Sequence, residues 1–330
     1  MAVTQPRDVR MRGFSRRATV EEALAWINGL ATPLASELIP LAMAGGRVLA
    51  EEIISEVDVP GFDRAMMDGF AVRAGDTSGA SSYNRLTLSI IGQVLPGGSY
   101  AGRVGGGEAV EIMTGSPLPP GADAVLAAEK VELDGDRILA LDEVGPGRNI
   151  GRVGEDILVG TTVLRSGRQL RAQDLGVLAS IGVDQVPVVR RPRLRIVITG
   201  NELLPAGSTP VGHRIVDANG PMLDCLVSRD GGISYNPGIV PDTPEAVLEA
   251  LREPVDIVVV SGGTSVGQED HAPVLLGEHG ELAIHGIAMR PSSPTGMGRM
   301  NGRLVFLLPG NPVSCLSMGC STSESNLWAR

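Results

Sequence analysis

The chain changes texture along its length. From Thr19 the run TVEEALAWINGL carries apolar residues at Val20, Ala23, Leu24 and Ile27, the spacing of one helix face. Thr19 and Glu22 stand in the relation of a capping box, which fixes the helix start. Beyond residue 40 short strand-like runs (RVLAEEI, RLTLSIIGQVL, DRILALDEV) alternate with glycine- and proline-rich turns, which predicts a β-rich domain. RVGEDILVGTTVL and a second helical stretch, QDLGVLASIG, follow at about 152–183. The second half alternates strand and helix: Arg193–Thr199, a helix over Asn219–Asp230, a strand within Gly232–Val240, and a helix opened by Thr243 and Pro244. It continues with Asp256–Val260, a short helix, LAIHGIAM, and Arg303–Leu308, which breaks at PGNP. Nearly all-apolar strands in this alternation predict a mostly parallel, doubly wound sheet covered on both faces, with polar loops at the carboxyl ends of its strands. The expected division is a discontinuous helical or linker domain (14–55 and 150–188), a β-rich domain (56–149) and an α/β domain (189–330).

Composition narrows the function. With 28 basic against 38 acidic residues the net charge is −10, a poor general match for nucleic acid or an anionic membrane. A local basic pocket for a small anion stays open. Aromatic residues are only 3%, too few for a base-stacking platform. No run approaches a membrane span, and Cys225, Cys315 and Cys320 suit neither a disulfide scaffold nor a paired metal site. The arginine-rich start, which carries Asp8, reads as a basic lead-in to the first helix, and the protein is expected in the cytoplasm.

Candidate chemistry sits in the loops. SGGTSVGQED follows a buried strand, so Gly262, Gly263 and Gly267 let the backbone approach an anion while Thr264 and Ser265 add hydroxyls; an ordinary glycine turn fits equally well. Asp270 reads either as the N-cap of HAPVLL or as a ligand for a divalent cation bridging it to phosphate. Glu202 and Asp242 are expected on the same rim, with Asp68 and Asp156 as further loop acids and Thr114 at a strand–turn junction. Arg290, Ser292, Ser293 and Thr295 form a candidate oxyanion seat, and Asn311 and Ser314 in the turn Pro309–Pro312 and just after it can aim polar groups at a ligand. Neither G-x-S-x-G nor H-E-x-x-H occurs.

In order along the chain, VPGFDRAMMDGFAVR, EIMTGSPLPPGADAV, GRNIGRVGEDI, ITGNELLPAG, DANGPML, GIVPDTPEAV, DIVVVSGGTSVGQEDH and VFLLPGNPVS resemble the molybdopterin molybdenumtransferase family, the MoeA-type proteins related to the gephyrin E domain. The resemblance implies insertion of molybdate into adenylylated molybdopterin with loss of AMP. It also implies Mg2+, held here near Asp242 and Asp270, and an elongated homodimer with its active site in a cleft near the dimer interface. Further implied partners are the molybdopterin adenylyltransferase and molybdoenzyme apoproteins. The matching functional positions are Asp68, Thr114, Asp156, Glu202, Asp242, Asp270, Pro309, Pro312 and Ser314. Asn201 replaces the usual acid before Glu202, and RPSSP replaces the usual PGKP, which moves anion contacts from lysine to Arg290 and hydroxyls. The usual small C-terminal β domain is expected to be absent, and CLSMGCSTSESNLWAR lacks the spacing of an amphipathic helix. Two rival readings are a catalytically impaired cofactor-binding or scaffold form and a molybdopterin adenylyltransferase; the long β-rich first half argues against the latter.

Overall fold

The computed structural model describes residues 16–265 and 270–323, with the side chains of 318–323 left aside. Its contacts divide the chain into two compact units. One gathers the described residues of 1–51, 167–171 and 185–330; the other holds 52–166 and 172–184.

The first unit is built on a seven-stranded sheet. Its path runs Ile233–Tyr235, Arg193–Thr199, Ile257–Ser261, Arg303–Leu308, Gly296–Met300 and Glu281–His285, with Ile239–Val240 also paired to Arg193–Thr199. The strands from Ile233 to Leu308 pair in parallel and the last two antiparallel. Successive side chains of a strand point to opposite faces, and here both faces are apolar. Leu194, Ile196, Ile198 and Val259 pack with Ala23 and Ile27 of the helix Val20–Asn28 and with Leu223 and Val227 of the helix Asn219–Arg229. Val197, Val258, Val260 and Leu307 pack on the other side with Val247 and Leu251 of Pro244–Leu251 and Leu275 and Leu276 of His271–His279. Helices on both faces explain the continuous apolar runs and bear out the expected doubly wound fold.

Local signals hold where they are strong. Thr19 and Glu22 exchange both capping-box bonds, and Thr243 accepts from the Ala246 amide with Pro244 in the first helical turn. Three details depart from expectation. The run Gly232–Val240 splits into two short strands at Gly238, whose φ is +108°. The strand in LAIHGIAM stops at His285, because Gly286 turns away with φ +95°. Gly296–Met300 forms an unforeseen strand, in which a Cβ on Gly298 would lie 2.0 Å from the Glu281 carbonyl oxygen, so glycine permits the close approach. A helix also forms over Pro312–Ser323 despite its weak pattern. Its start is fixed locally, since the Asn311 side chain accepts the Ser314 amide at 3.2 Å and Pro312 takes the first position.

The second unit holds a six-stranded sheet in the order Ala124–Ala127, Gly69–Val72, Glu108–Ile112, Leu86–Val94, Arg137–Ala140, Val131–Asp134. Apolar clusters around Phe70 and Leu88, and around Ile112 and Val125, cover its two faces. Of the expected strand RVLAEEI only its last residue, Ile53, lies in a strand, Ile53–Ile54, which pairs with Thr162–Leu164; Val48 and Leu49 make isolated bridges.

Candidate functional site

In the first unit the parallel strands Arg193–Thr199, Ile257–Ser261 and Arg303–Leu308 end on one edge, as their in-register pairing requires. Their outgoing loops and the start of the helix Asn219–Arg229 enclose a cleft of about 290 Å³. Glu202, Gly262, Asn311 and Pro312, all expected at the site, line it. Asp217, Asn219 and Ser261 line it too, and sequence reasoning did not single these out.

Asn219 ties the edge together. Its Nδ2 donates to the Ser261 hydroxyl at 2.8 Å and to the Gly310 carbonyl at 2.8 Å, joining a helix start to the ends of two strands. Asp217 accepts the Gly220 amide at 2.9 Å through Oδ1 and so covers one exposed donor of the helix N-terminus. The only local signal was the tetrapeptide DANG before a helix.

The glycine loop is shaped by crowding. Gly262 has φ +99°, and a Cβ there would lie 2.0 Å from the Thr199 carbonyl oxygen. Gly263 is also left-handed, at φ +55°. Thr264 is buried and its hydroxyl donates to the Leu308 carbonyl at 2.8 Å, so it braces the loop; Ser265 is partly exposed in the following bend. His285 brings Nε2 to 3.2 Å from the Thr264 carbonyl, and burial pushes its pKa below the ordinary value. Gly267 lies outside the described residues.

The acids are placed differently from one another. The Glu202 carboxylate folds over Gly200, where a Cβ would lie 2.7 Å from it. The Thr199 hydroxyl donates to Asp242 at 3.2 Å, which ties Asp242 to a residue of the cleft wall. Asp270 occupies the N-cap position of His271–His279, and its side chain makes no capping hydrogen bond. No group of three or more His, Cys, Asp or Glu side chains able to hold a metal occurs among the described residues. Mg2+ does not call for such a cluster, since it binds through one or two carboxylates together with substrate phosphates and water.

The expected oxyanion seat is largely closed. Ser292 is fully buried and its hydroxyl donates to the Ser314 carbonyl at 2.7 Å. Ser314 is 5% exposed, and its hydroxyl donates to the Pro291 carbonyl at 3.3 Å. The Thr295 hydroxyl, also buried, donates to the Ser292 carbonyl. The Ser292 and Ser314 hydroxyls thus clasp the turn to the final helix, and Thr295 bonds within the turn. The Ser293 hydroxyl is enclosed without a partner, and Arg290 alone of the group is exposed. Pro309 supplies a carbonyl 3.5 Å from the Ser261 hydroxyl. Cys315, beneath this edge, is buried among apolar residues, which raises its thiol pKa to about 11 and leaves it a packing group.

Three expected residues belong to the second unit. Asp68, in the turn before Gly69–Val72, accepts the Thr114 amide and hydroxyl at 2.7 and 2.8 Å. Those two donors hold its carboxyl below the usual range while it stays exposed. Asp156 is exposed and lies 3.5 Å from Arg64, which also meets Glu155 at 3.1 Å. The expected catalytic residues are thus distributed over both units.

No helix among the described residues is long and apolar enough to cross a membrane. A family model described as "MoeA N-terminal region (domain I and II)" matches residues 18–182, and one described as "Probable molybdopterin binding domain" matches 195–321. A molybdopterin molybdenumtransferase of Haemophilus influenzae is 35% identical over 288 residues, covering 86% of this chain and 70% of that protein. One from Staphylococcus aureus is 33% identical over 303 residues, covering 90% and 72%. The crystal structure of the molybdopterin biosynthesis moeA protein from Pyrococcus horikoshii superposes with a TM-score of 0.83 at 34% identity, covering 95% of this chain and 79% of that one. With both halves matched in order, the chain belongs to the MoeA family of molybdopterin molybdenumtransferases, enzymes of molybdenum cofactor biosynthesis.

Proposed function

We propose that this chain inserts molybdate into adenylylated molybdopterin and releases AMP. The observation that carries this reading is the strand-end cleft beside a turn whose Gly262 admits no side chain, in a chain matched by both MoeA-family regions. Backbone amides of the turn supply fixed dipoles to a phosphate. Asp242 and Asp270 are the residues that would hold Mg2+, which when bound offsets the charge of the pyrophosphate. Arg290, exposed and able to present a two-pronged donor, is the group for molybdate, a tetrahedral dianion. Asp68 is held ionised by Thr114, so it acts as an acceptor or base and not as an acid at neutral pH. Glu202 is the further acid of the first unit and Asp156 that of the second, and the working form is a homodimer.

The test is the Mg2+ dependence of AMP release. Asp270→Ala should raise the Mg2+ concentration needed for half-maximal turnover by about tenfold or more, the loss of one charged ligand. An unchanged Mg2+ dependence would exclude Asp270 as a ligand.

A further inference from the structure

The cleft at the strand ends has a one-sided chemistry. No lysine or arginine lines it, and its acidic side chains are Glu202 and Asp217. Asp217 is 9% exposed; Oδ1 takes the Gly220 amide, while Oδ2 receives no hydrogen bond from a described residue. Asn219, 7% exposed, has its orientation set by the Gly310 carbonyl, which can only accept, so Nδ2 must face it. Its Oδ1 is therefore a buried acceptor, and no donor reaches it.

Three occupants can be compared. An anion fits poorly, because two acidic residues and no basic one line the cleft, and the helix N-terminus that would attract it already carries Asp217. A protein-held metal fits poorly too, since no three ligating side chains converge among the described residues. A flat ring edge that presents paired N–H donors suits Asp217, which lines the cleft and whose Oδ1 alone takes the Gly220 amide. A carboxylate takes two parallel N–H bonds as a pair, and each oxygen has capacity beyond one bond.

We propose that this cleft binds the 2-amino-4-oxopyrimidine edge of the pterin, with Asp217 as its specificity-determining acceptor and Asn219 as the residue that positions the wall. The inference rests on the proposed pterin substrate and adds which end of it lies here. The 2-amino and N3–H groups donate to Asp217, and the anionic end lies outside this cation-free cleft.

The probes are unsubstituted pterin and lumazine, which carries an oxygen in place of the 2-amino group, titrated into the full chain by fluorescence. The wild-type chain should bind pterin at least about tenfold more tightly than lumazine, the loss of a donor against a buried acceptor. Asp217→Asn retains an oxygen for the Gly220 amide, so the fold persists; it should bind pterin at least about tenfold more weakly and lose the preference. Circular dichroism confirms that the variant is folded. Equal binding of the two probes by the wild type overturns the proposal, as does Asp217→Asn binding pterin like the wild type. If either occurs while the wild type still releases AMP from adenylylated molybdopterin, the pterin edge lies elsewhere and the proposed reaction stands. Neither pterin binding nor AMP release by the wild type would overturn both.

Discussion

Thr114 donates its backbone amide and its hydroxyl to a single oxygen of Asp68, at 2.7 and 2.8 Å. Two donors on one carboxylate oxygen favour the charged form, and this bond pair is the cause of the depressed Asp68 pKa. Thr114→Val keeps the amide and removes the hydroxyl. The Asp68 pKa should move up toward the usual carboxylate value, as read by carboxyl ¹³C titration; an unmoved titration would show that the hydroxyl contributes nothing. Asp68→Asn keeps an acceptor for Thr114 but removes the charge. It should lower the melting temperature only slightly, since Asp68 is exposed, and lower molybdenum insertion by about tenfold or more.

Gly262 and Gly176 should respond to alanine in opposite directions. At Gly262 a Cβ meets the Thr199 carbonyl at 2.0 Å, and φ is +99°. Gly262→Ala should destabilise by more than about 1 kcal/mol, the range for a residue forced into incompatible backbone. Gly176, within the helix Ala172–Ser180, has open space around it. Gly176→Ala should stabilise by about 0.4–1 kcal/mol. Urea denaturation of both variants reads the contrast.

What was legible in the chain follows from how far apart the interacting residues lie. The Thr19–Glu22 box and the Thr243–Pro244 start are local, and both appear as read. The central strands were legible because both faces of Arg193–Thr199 and Ile257–Ser261 are buried, so their apolar runs have no polar interruption of consequence. Gly296–Met300 was hidden because its glycines mark a close approach to Glu281, a pairing that only the folded sheet reveals. The role of Asn219 was equally hidden, since its partners Ser261 and Gly310 lie 42 and 91 residues away. Ser292 and Ser314 illustrate the converse. Their residue type suggested a ligand, but tertiary packing turns their hydroxyls onto backbone carbonyls.

Asn219→Ala should destabilise the first unit. It leaves the buried Ser261 hydroxyl and the Gly310 carbonyl without their donor, for about 1–3 kcal/mol, most of it at Ser261. A loss below about 0.5 kcal/mol would mean that water replaces the amide.

Arg190 and Asp256 form a two-pronged pair at 2.7 and 2.6 Å, and Asp256 also accepts the Arg193 amide at 2.7 Å. The Arg190 hydrogen bonds hold the Asp256 carboxyl below its usual range. The side chains are 33% and 22% exposed, so solvent screening limits the contribution to about 1–2 kcal/mol. A depressed folded pKa stabilises above the unfolded carboxylate value and loses that effect as pH falls through the folded value. Asp256→Asn should therefore be less stable than wild type at pH 7, with the gap closing below about pH 4. A gap independent of pH would assign the difference to packing.

The most direct measurement of the central claim is AMP release by the purified chain from adenylylated molybdopterin, with and without molybdate, alongside reconstitution of an apo-molybdoenzyme by the product. AMP release that requires molybdate and yields active molybdoenzyme is the predicted result. Pterin binding without molybdate-dependent AMP release, or ATP-dependent adenylylation of molybdopterin instead, would contradict it.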